Sequence, residues 1–304
     1  MPTPTVPAIA IRGLTKRFGR ILAVNALDLD VEAGLVFGFL GLNGAGKTTT
    51  IRLLLDLLRP TSGHAAILGH DCRVDGLAAR ACVGYLPGEM GFYRDMTGRQ
   101  VLDLLSRLSR VPARADWQRE LLERLAFREA DLDRRLREYS TGMKRKLAIV
   151  QAFQASPPVL ILDEPTEGLD PLMQEAFYAL LVDVRRRGAT VFLSSHVLSE
   201  VERVCDRIAV LRAGQLALSA TVDDVRRLAP RLVRVVFAGP VAAPPTTWPA
   251  SIAVVAVTPG QWDLRVQGEL GPLLSVLGGL PVLDLRVHEP RLEDVLINYY
   301  RGNL

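Results

Sequence analysis

The sequence predicts an α/β fold in which helices flank a mostly parallel sheet, followed by a small α+β domain. Short apolar runs bounded by glycine or proline, such as residues 36–40 and 159–162, are typical of buried strands in a parallel sheet. Amphipathic stretches, with apolar residues at i, i+3 and i+4, alternate with these runs and indicate helices. The sequence changes in texture near residues 229–230, which gives predicted domains at residues 1–230 and 231–304.

The first domain is predicted to alternate strands with helices, as expected for a parallel sheet covered on both faces. Pro171 stands at a favourable first helical position, and Gly188 follows the last residue of the same predicted helix. Apolar runs predict strands at residues 8–11, 27–31, 36–40, 83–86, 159–162, 191–193 and 208–211. Helical spacing predicts helices at residues 47–58, 98–110, 114–127, 142–154, 171–187 and 197–204.

The second domain is predicted to hold short strands and two helices around a proline-rich loop at residues 238–249. Strands are expected at residues 232–237, 252–257, 262–266 and 283–287. Helices are expected at residues 270–277 and 291–300.

Composition and charge restrict the class of protein. The 304 residues are 49% hydrophobic and 23% charged, which is typical of a globular protein and not of a disordered chain. Acidic and basic residues are interspersed and leave a formal net charge of +4, so we expect a mildly basic surface and no nucleic-acid partner.

The sequence also suggests where the chain resides. It has no window of the roughly 18–20 apolar residues that span a bilayer, and its first residues lack the basic segment of a signal peptide. Its three cysteines, Cys72, Cys82 and Cys205, are widely spaced and fit buried thiols in a reducing cytosol. We therefore expect a cytosolic chain whose membrane role comes through a partner.

A glycine-rich turn, GLNGAGKT at residues 41–48, fits the pattern G-x-x-x-x-G-K-[ST] between a predicted strand and a predicted helix. Glycines leave backbone N–H groups free to surround a polyphosphate, and the helix adds its positive dipole end. Lys47 is expected to reach the β/γ-phosphates of ATP, and the Thr48 hydroxyl to bind Mg²⁺. The candidate ATP-binding residues of this phosphate turn are Gly41, Leu42, Asn43, Gly44, Ala45, Gly46, Lys47, Thr48 and Thr49.

A second motif, VLILDEPTEGLD at residues 159–170, delivers two carboxylates at the end of a predicted buried strand. Ligands of open α/β sheets bind beyond the carboxyl ends of the strands. Adjacent buried carboxylates are costly unless a cation lies nearby. We expect Asp163 to hold Mg²⁺ through its water shell, and Glu164 to polarise a water in line with the γ-phosphate. A solvated turn is the alternative for this pair.

Together these motifs resemble the ATP-binding subunit of an ATP-binding-cassette (ABC) transporter, of the drug-export (ABC-2) type. The resemblance covers about residues 8–229 and implies a P-loop NTPase fold of the ABC type. It implies an N-terminal antiparallel sheet and a helical subdomain at about residues 87–157. The C-terminal tail resembles those of drug- and antibiotic-export ATPases. The role expected for this domain is to stabilise the dimer or to tune assembly; the alternative is a packing domain with no regulatory part.

The segment YSTGMKRKLAIV stands where the family has its signature, Leu-Ser-Gly-Gly-Gln. Ser140 and Gly142 match that pattern, and Tyr139, Thr141 and Met143 depart from it. Ser140 is expected to cap the following helix, which alone would explain the motif. The resemblance implies that Ser140, Thr141, Gly142 and Met143 contact ATP held by the opposite subunit.

Three further positions match the family. His196, in SSH, is expected to contact the γ-phosphate and Glu164; its alternative is a structural histidine at a strand end. Phe18 stands where the family stacks an aromatic ring on adenine; its alternative is a core position. The segment EGLD resembles the D-loop that crosses the dimer interface; its alternative is a simple turn before a helix. The D-loop residues are Gly168, Leu169 and Asp170.

One position departs from the family. The resemblance calls for a glutamine after the GYLP strand, where it touches Mg²⁺ and couples to the membrane partner. This chain has Gly88 there, followed by Glu89. Gly88 has no side chain with which to sense a phosphate. Glu89 is either a group near the Mg²⁺ shell or a surface acid, and the sequence does not decide between them.

The resemblance implies an ATPase with Lys47, Glu164 and His196 as catalytic residues and ATP and Mg²⁺ as cofactors. Its partners would be a second nucleotide-binding subunit, most simply an identical one, and a membrane-embedded permease that docks at residues 87–110. The chain would then lie at the cytoplasmic face of the cell membrane, as a peripheral subunit. Its cargo class would be a drug, an antibiotic or a lipid-like molecule.

Three other functions are alternatives to this one. A soluble ABC-type ATPase that acts on ribosomes usually carries two cassettes, whereas this chain has one phosphate turn. The ATPase head of a DNA-maintenance protein needs a long coiled coil between its motifs, and residues 59–159 predict helices of ordinary length. A nucleotide-gated interaction module without catalysis would not need Glu164 and His196.

Overall fold

The computed structural model describes residues 6–109, 113–228, 230–241, 248–288 and 292–301. The chain forms two compact units, Met1–Ser219 and Ala220–Leu304. The predicted domain boundary, between residues 230 and 231, lies further along the chain. Several residues that enter the predicted elements lie outside the described residues: Arg110, Ala229, residues 242–247 and Arg291.

Within its described residues, the first unit contains ten strands, the last of which runs across the boundary, and seven α-helices. Its strands are β1 (Ile9–Phe18), β2 (Ile21–Val31), β3 (Val36–Leu40), β4 (Ser62–Ile67), β5 (His70–Asp71), β6 (Val83–Leu86), β7 (Val159–Asp163), β8 (Thr190–Ser195), β9 (Arg207–Arg212) and β10 (Gln215–Thr221). Its helices are α1 (Lys47–Leu54), α2 (Gly76–Ala81), α3 (Gly98–Leu108), α4 (Ala115–Arg124), α5 (Thr141–Phe153), α6 (Pro171–Arg186) and α7 (Leu198–Val204).

Two sheets organise this unit. The strands before and after β3 form a four-stranded antiparallel sheet in the order β2-β1-β4-β5. The central sheet has the order β10-β9-β3-β8-β7-β6, and β9, β3, β8, β7 and β6 pair in parallel. The predicted parallel sheet and N-terminal antiparallel sheet are therefore confirmed.

The register of the central sheet brings the ends of three strands to one level. Leu40, the last residue of β3, pairs with Ser195 of β8, and Asp163, the last residue of β7, pairs with Ser194. The three motifs that follow these strands therefore leave the sheet side by side.

Both faces of β3 are covered. Phe37 and Phe39 point to the same face because side chains alternate along a strand, and both rings pack on Phe192, with centroids 5.9 and 5.0 Å apart. On the other face, a Cβ added to Gly38 would lie 3.0 Å from Val201 Cγ1 of α7 and 3.0 Å from Sγ of Cys205, the residue after α7. The central strands are thus buried on both faces, as the apolar runs predicted.

The helical part between β6 and β7 holds α3, α4, two 3₁₀ turns (Glu129–Asp133 and Leu136–Glu138) and α5. Helix α3 begins with a full capping box, in which Thr97 and Gln100 exchange side-chain and backbone hydrogen bonds. Trp117 of α4 is buried and donates its indole N–H to the carbonyl oxygen of Phe153, at 2.9 Å. This bond joins α4 to α5.

Five elements were not predicted: β4, β5, α2, β10 and the helix after β10. Strand β10 alternates exposed and half-buried residues, and β4 is exposed over its first half, so neither reads as an apolar run. Helix α2 has six residues, too few to show a helical period. The predicted strands at residues 8–11 and 27–31 are each the buried ends of longer strands, and the helix predicted at 47–58 ends at Leu54, before Asp56 turns left-handed with φ 57°.

The second unit contains α8 (Val222–Leu228), α9 (Gly271–Leu277) and α10 (Leu292–Arg301), with a four-stranded antiparallel sheet. Its core holds Trp262, 1% exposed, against Phe237, with ring centroids 4.7 Å apart. The sheet has the order β12-β13-β11-β14 and comprises β11 (Arg231–Phe237), β12 (Ile252–Thr258), β13 (Gln261–Val266) and β14 (Val282–His288).

The cysteines are unpaired. Cys72 and Cys205 are buried and Cys82 is half-buried. Burial raises the pKa of the Cys72 thiol to about 12, and it also raises the pKa of the Cys205 thiol. Within the part of the chain that the structure describes, no helix has the length and apolar character needed to cross a membrane.

Gly84 of β6 marks a close approach between helix and sheet. A Cβ added there would lie 2.1 Å from the carbonyl oxygen of Ala152 in α5. We expect Gly84→Ala to lower the free energy of unfolding by about 1–3 kcal/mol, the usual cost of overpacking. Urea denaturation measures this change. Gly91→Ala is the control, because nothing lies within 4 Å of its added Cβ; an equal loss in both variants would contradict the packing argument.

Candidate active site

The phosphate turn at residues 41–48 connects β3 to α1. Gly46, the residue before α1, has φ 108°, and its added Cβ would lie 2.4 Å from the carbonyl oxygen of Ala23. An added Cβ at Gly41 would lie 2.7 Å from the carbonyl oxygen of Leu211. Both positions therefore require glycine. No side chain caps the first turn of α1, so its backbone N–H groups remain available to an anion.

The side chains of this turn differ in exposure. Leu42, Asn43, Gly44 and Thr48 are exposed, Thr49 is half-buried and Ala45 is buried. Lys47 is buried, and its Nζ donates to the carbonyl oxygen of Gly41 at 2.6 Å. The same Nζ lies 3.7 Å from Glu164 Oε1, which links the phosphate turn to the acidic motif.

The two carboxylates at the end of β7 have separate environments. Asp163 is 3% exposed, and its Oδ1 accepts a hydrogen bond from Ser194 Oγ. Glu164 follows with φ 47°, a left-handed conformation that is uncommon outside glycine, and its N–H donates to the carbonyl oxygen of Ser194 at 3.1 Å. Such strained residues persist where the surroundings fix them, and they concentrate at functional sites.

His196 is the last member of the active cluster, which consists of Lys47, Asp163, Glu164 and His196. Its Nδ1 lies 2.8 Å from Glu164 Oε2, so the Glu164 carboxylate lies between an ammonium group on one oxygen and an imidazole on the other. The His196 side chain is 54% exposed and that of Glu164 is 20% exposed, which leaves the group open to a ligand. The structure thus brings together Lys47, Asp163, Glu164 and His196.

The signature turn, residues 140–143, and the D-loop, residues 168–170, pack against each other. Ser140 is the N-cap of α5, as predicted, and its Oγ accepts from the N–H of Met143 at 3.2 Å. A Cβ added to Gly168 would lie 3.3 Å from Thr141 Cγ2. Among the described residues, no hydrogen bond or ion pair joins either segment to Lys47, Glu164 or His196.

The D-loop also starts a helix. Asp170 is the N-cap of α6 and accepts from the N–H of Met173 at 3.0 Å, and Pro171 occupies the first helical position, as predicted. Gly168 has φ 78°, and Leu169 is buried. The D-loop therefore does form the turn before a helix, and it also contacts the signature turn.

Comparison with known proteins identifies the family. The family model described as ABC transporter matches residues 24–167. The daunorubicin resistance ATP-binding protein DrrA3 of Streptomyces coeruleorubidus is 40% identical over 225 residues, which are 72% of this chain and 70% of that protein. The chain belongs to the ABC transporter family. It is an ABC-type ATPase.

Two further comparisons support this assignment. An uncharacterised ABC transporter ATP-binding protein of Nostoc sp. is 38% identical over 209 residues, which are 68% of this chain but only 62% of that protein. A solved structure of an ATP-binding subunit of an ABC transporter superposes with a TM-score of 0.68 at 31% identity, covering 72% of this chain and 92% of that one.

The structure shows the surroundings of two residues at which this ABC ATPase departs from the family pattern, Tyr139 and Gly88. Tyr139, in place of leucine, is buried and donates its hydroxyl to the carbonyl oxygen of Asp131 at 2.5 Å; burial raises its pKa to about 12. Gly88 lies where an added Cβ would be 3.6 Å from Asp163 Oδ2, so a longer side chain there would reach the carboxylate. Glu89 is exposed and has no hydrogen bond or ion pair within the described chain.

Phe18 is not a core residue of the ATPase. It ends β1, is 45% exposed, and carries Lys16 Nζ 4.9 Å from its ring centroid. The structure therefore rules out the core alternative and leaves this ring able to stack on a ligand.

A buried carboxylate behind the cluster was missed from the sequence. Glu200 of α7 is 7% exposed and accepts from Thr166 Oγ1 at 2.5 Å and from Ser195 Oγ at 3.1 Å. The pKa of Tyr178 is raised mainly by burial and secondly by the negative charge of Glu200. Glu200 thus joins the turn after Glu164 to the last residue of β8, which precedes His196. The sequence feature that could have revealed its burial is helical spacing: Glu200 lies four residues before Val204, on the buried face of α7.

Removal of this carboxylate should destabilise the ATPase. We expect Glu200→Ala to lower the free energy of unfolding by about 2–4 kcal/mol, because several buried hydroxyls lose their acceptor. Denaturant titration measures the loss. Glu175→Ala, which breaks an exposed ion pair with Arg203, should cost less than about 1 kcal/mol. Similar costs in the two variants would refute the role assigned to Glu200.

Proposed function

We propose that this ABC ATPase powers export through a separate membrane-embedded permease, by ATP-driven head-to-tail dimerisation and ATP hydrolysis. The observation that carries the proposal is the Glu164 carboxylate, held between Lys47 and His196 beside the phosphate turn. The chain would act at the cytoplasmic face of the cell membrane as a peripheral subunit, most simply as a homodimer.

The phosphate turn would bind the triphosphate. Its glycines expose backbone N–H groups, and the uncapped start of α1 directs further N–H groups and the helix dipole to the same anion. Lys47, now bonded to the carbonyl oxygen of Gly41, would exchange that partner for the β/γ-phosphates. The exposed Phe18 ring would stack on adenine.

Glu164 would act on the hydrolytic water. In-line attack on the γ-phosphate requires a group that orients the water, and most of the catalysis is positioning and charge stabilisation. Lys47 and His196 each hold one oxygen of the Glu164 carboxylate, which fixes its direction at the end of β7. The His196 ring is exposed enough to contact the γ-phosphate as well.

The site offers the oxygen donors that Mg²⁺ prefers. The exposed Thr48 hydroxyl and the buried Asp163 carboxylate would hold the ion, directly or through water. Ser194 holds one oxygen of Asp163, and the other lies toward Gly88. When bound, Mg²⁺ neutralises charge on the β- and γ-phosphate oxygens.

The signature turn and D-loop would complete the site of a second subunit. Both segments contact each other and make no polar contact with the Lys47 and Glu164 cluster of their own chain within the described residues. The Thr141 side chain is exposed beside the N-terminus of α5, where backbone N–H groups can receive a γ-phosphate. This arrangement supports ATP bound between two subunits.

The permease would dock on the segment at residues 87–110, of which Arg110 is not described. An apolar groove of about 160 Å³ lies there, lined by Met90, Phe92, Tyr93 and Leu104 among others. Tyr93 is 71% exposed. An apolar groove with an exposed aromatic suits a short helix from the permease.

The relatives indicate the class of cargo. The Streptomyces relative is named for daunorubicin resistance, so export of a drug, an antibiotic or a lipid-like molecule is the transport that we propose for this chain. The permease, and not this ATPase, would select among those molecules.

Glu164→Gln tests the catalytic assignment. The variant keeps the shape and hydrogen-bonding capacity of the side chain but removes its charge, so we expect ATP binding to persist while hydrolysis falls by about 100-fold or more. A phosphate-release assay measures turnover, and light scattering measures an ATP-trapped dimer. Glu175→Gln on the surface of α6 is the control. Normal hydrolysis by Glu164→Gln would remove Glu164 from this role.

Lys47→Ala tests the phosphate turn. Loss of the only ammonium at the turn among the described residues should weaken ATP binding by about 10- to 100-fold, since a charge-assisted contact contributes about 1.5–3 kcal/mol. Isothermal calorimetry measures the affinity. Arg12→Ala removes an exposed cation of β1 that pairs with Asp30 and should leave the affinity unchanged. Unaltered binding by Lys47→Ala would contradict the assignment.

A further inference from the structure

Arg145 is a buried arginine whose guanidinium donates hydrogen bonds to backbone carbonyl oxygens of two other segments. It is 2% exposed and lies on α5, just after the signature turn. Its Nε donates to Glu167 at 2.9 Å, its Nη1 to Pro87 at 3.0 Å and its Nη2 to Gly88 at 3.0 Å. One rigid, planar group therefore joins three parts of the chain that are far apart in sequence.

Burial of this cation has a cost that only its partners offset. Burial lowers the pKa of Arg145, and the negative charges of Glu167, Asp163 and Glu164 act in the opposite direction. The carboxylate of Glu167 lies 3.8 Å away but is itself 73% exposed. The guanidinium is thus held mainly by hydrogen bonds to peptide oxygens, a geometry that depends on the positions of those peptides.

The first segment that Arg145 holds lies against the metal-binding carboxylate proposed above. A Cβ on Gly88 would be 3.5 Å from the carbonyl oxygen of Asp163 and 3.6 Å from its Oδ2. Gly88 has no side chain with which to contact a ligand, so this residue can affect the site only through its backbone. Arg145 fixes that backbone at two consecutive carbonyl oxygens.

The second segment is the turn that leads into the D-loop. Glu167 precedes Gly168, and Gly168 packs on Thr141 of the signature turn. A displacement of residues 87–88 would therefore be passed through the guanidinium to the D-loop and to the start of α5 together.

We propose that Arg145 is a positioning residue that couples the permease-docking segment to the D-loop and the signature turn, in place of the glutamine side chain that this chain lacks. The inference rests on the function proposed above. Arg145 does not touch the nucleotide; it sets where the segments that do so lie. The sequence concealed this role, since Lys144, Arg145 and Lys146 read as a solvated basic face.

The test compares Arg145→Lys and Arg145→Gln with the unaltered chain. Lysine keeps the charge, and glutamine keeps a donor, but neither can bond to all three carbonyl oxygens. Lys146→Gln is the matched control, because Lys146 lies on the same helix and has no hydrogen bond or ion pair among the described residues. Each variant is purified as the full chain, and thermal unfolding establishes its folded fraction.

Three measurements follow: ATP affinity by calorimetry, kcat and KM for ATP hydrolysis, and ATP-dependent dimerisation in the Glu164→Gln background. We expect the affinity of the single subunit to stay within about twofold, since the phosphate turn is intact. We expect kcat to fall by about 10- to 100-fold, the usual result of a displacement near 1 Å, and dimerisation to weaken in parallel.

The outcomes separate the two proposals. Wild-type kcat and dimerisation in both Arg145 variants would overturn the inference, and so would losses that only follow the folded fraction. If Glu164→Gln abolishes hydrolysis as expected while Arg145 variants behave as wild type, the proposed function stands and the inference fails. If Glu164→Gln hydrolyses ATP normally, the proposed function fails first.

Discussion

The active cluster depends on the compensation of buried charge at the ends of parallel strands. A buried Asp163 beside a partly buried Glu164 would be costly without polar groups aimed at both carboxylates. Lys47 places an ammonium group and His196 an imidazole nitrogen at the Glu164 carboxylate, and Ser194 donates its hydroxyl to Asp163. Because Lys47 follows β3, Asp163 ends β7, and Ser194 and His196 lie in or just after β8, these contacts hold only while the strand register holds.

That register is maintained by apolar packing within the sheet. The aromatic rings of β3 and β8, and the close approach at Gly38, fix the neighbouring strands with little free space. Glu200 links the turn after Glu164 to the last residue of β8, which precedes His196. Two buried charged residues, Glu200 and Arg145, thus each join separate segments near these carboxylates. Buried polar networks of this kind specify one arrangement of the loops, whereas apolar side chains in the same space would permit several.

Local patterns in the sequence predicted the features that local chemistry determines. The phosphate turn, the buried strands, the N-cap at Ser140 and the helix start at Pro171 each follow from a few adjacent residues. The half-exposed strands β4 and β10 could not be predicted in this way, because sheet pairing and not an apolar run stabilises them. Arg145 and Glu200 were missed for a related reason: their burial depends on carbonyl and hydroxyl groups from distant segments, which composition does not reveal.

The state of the cysteines has a practical consequence for studies of motion in this ATPase. Cys72 and Cys205 are enclosed, and burial shifts the pKa of each thiol upward, so little reactive thiolate exists at neutral pH. A cysteine introduced on an exposed loop would therefore compete mainly with Cys82 for a maleimide. Replacing that single half-buried residue would yield a background in which spin labels or fluorophores report distances from chosen positions alone.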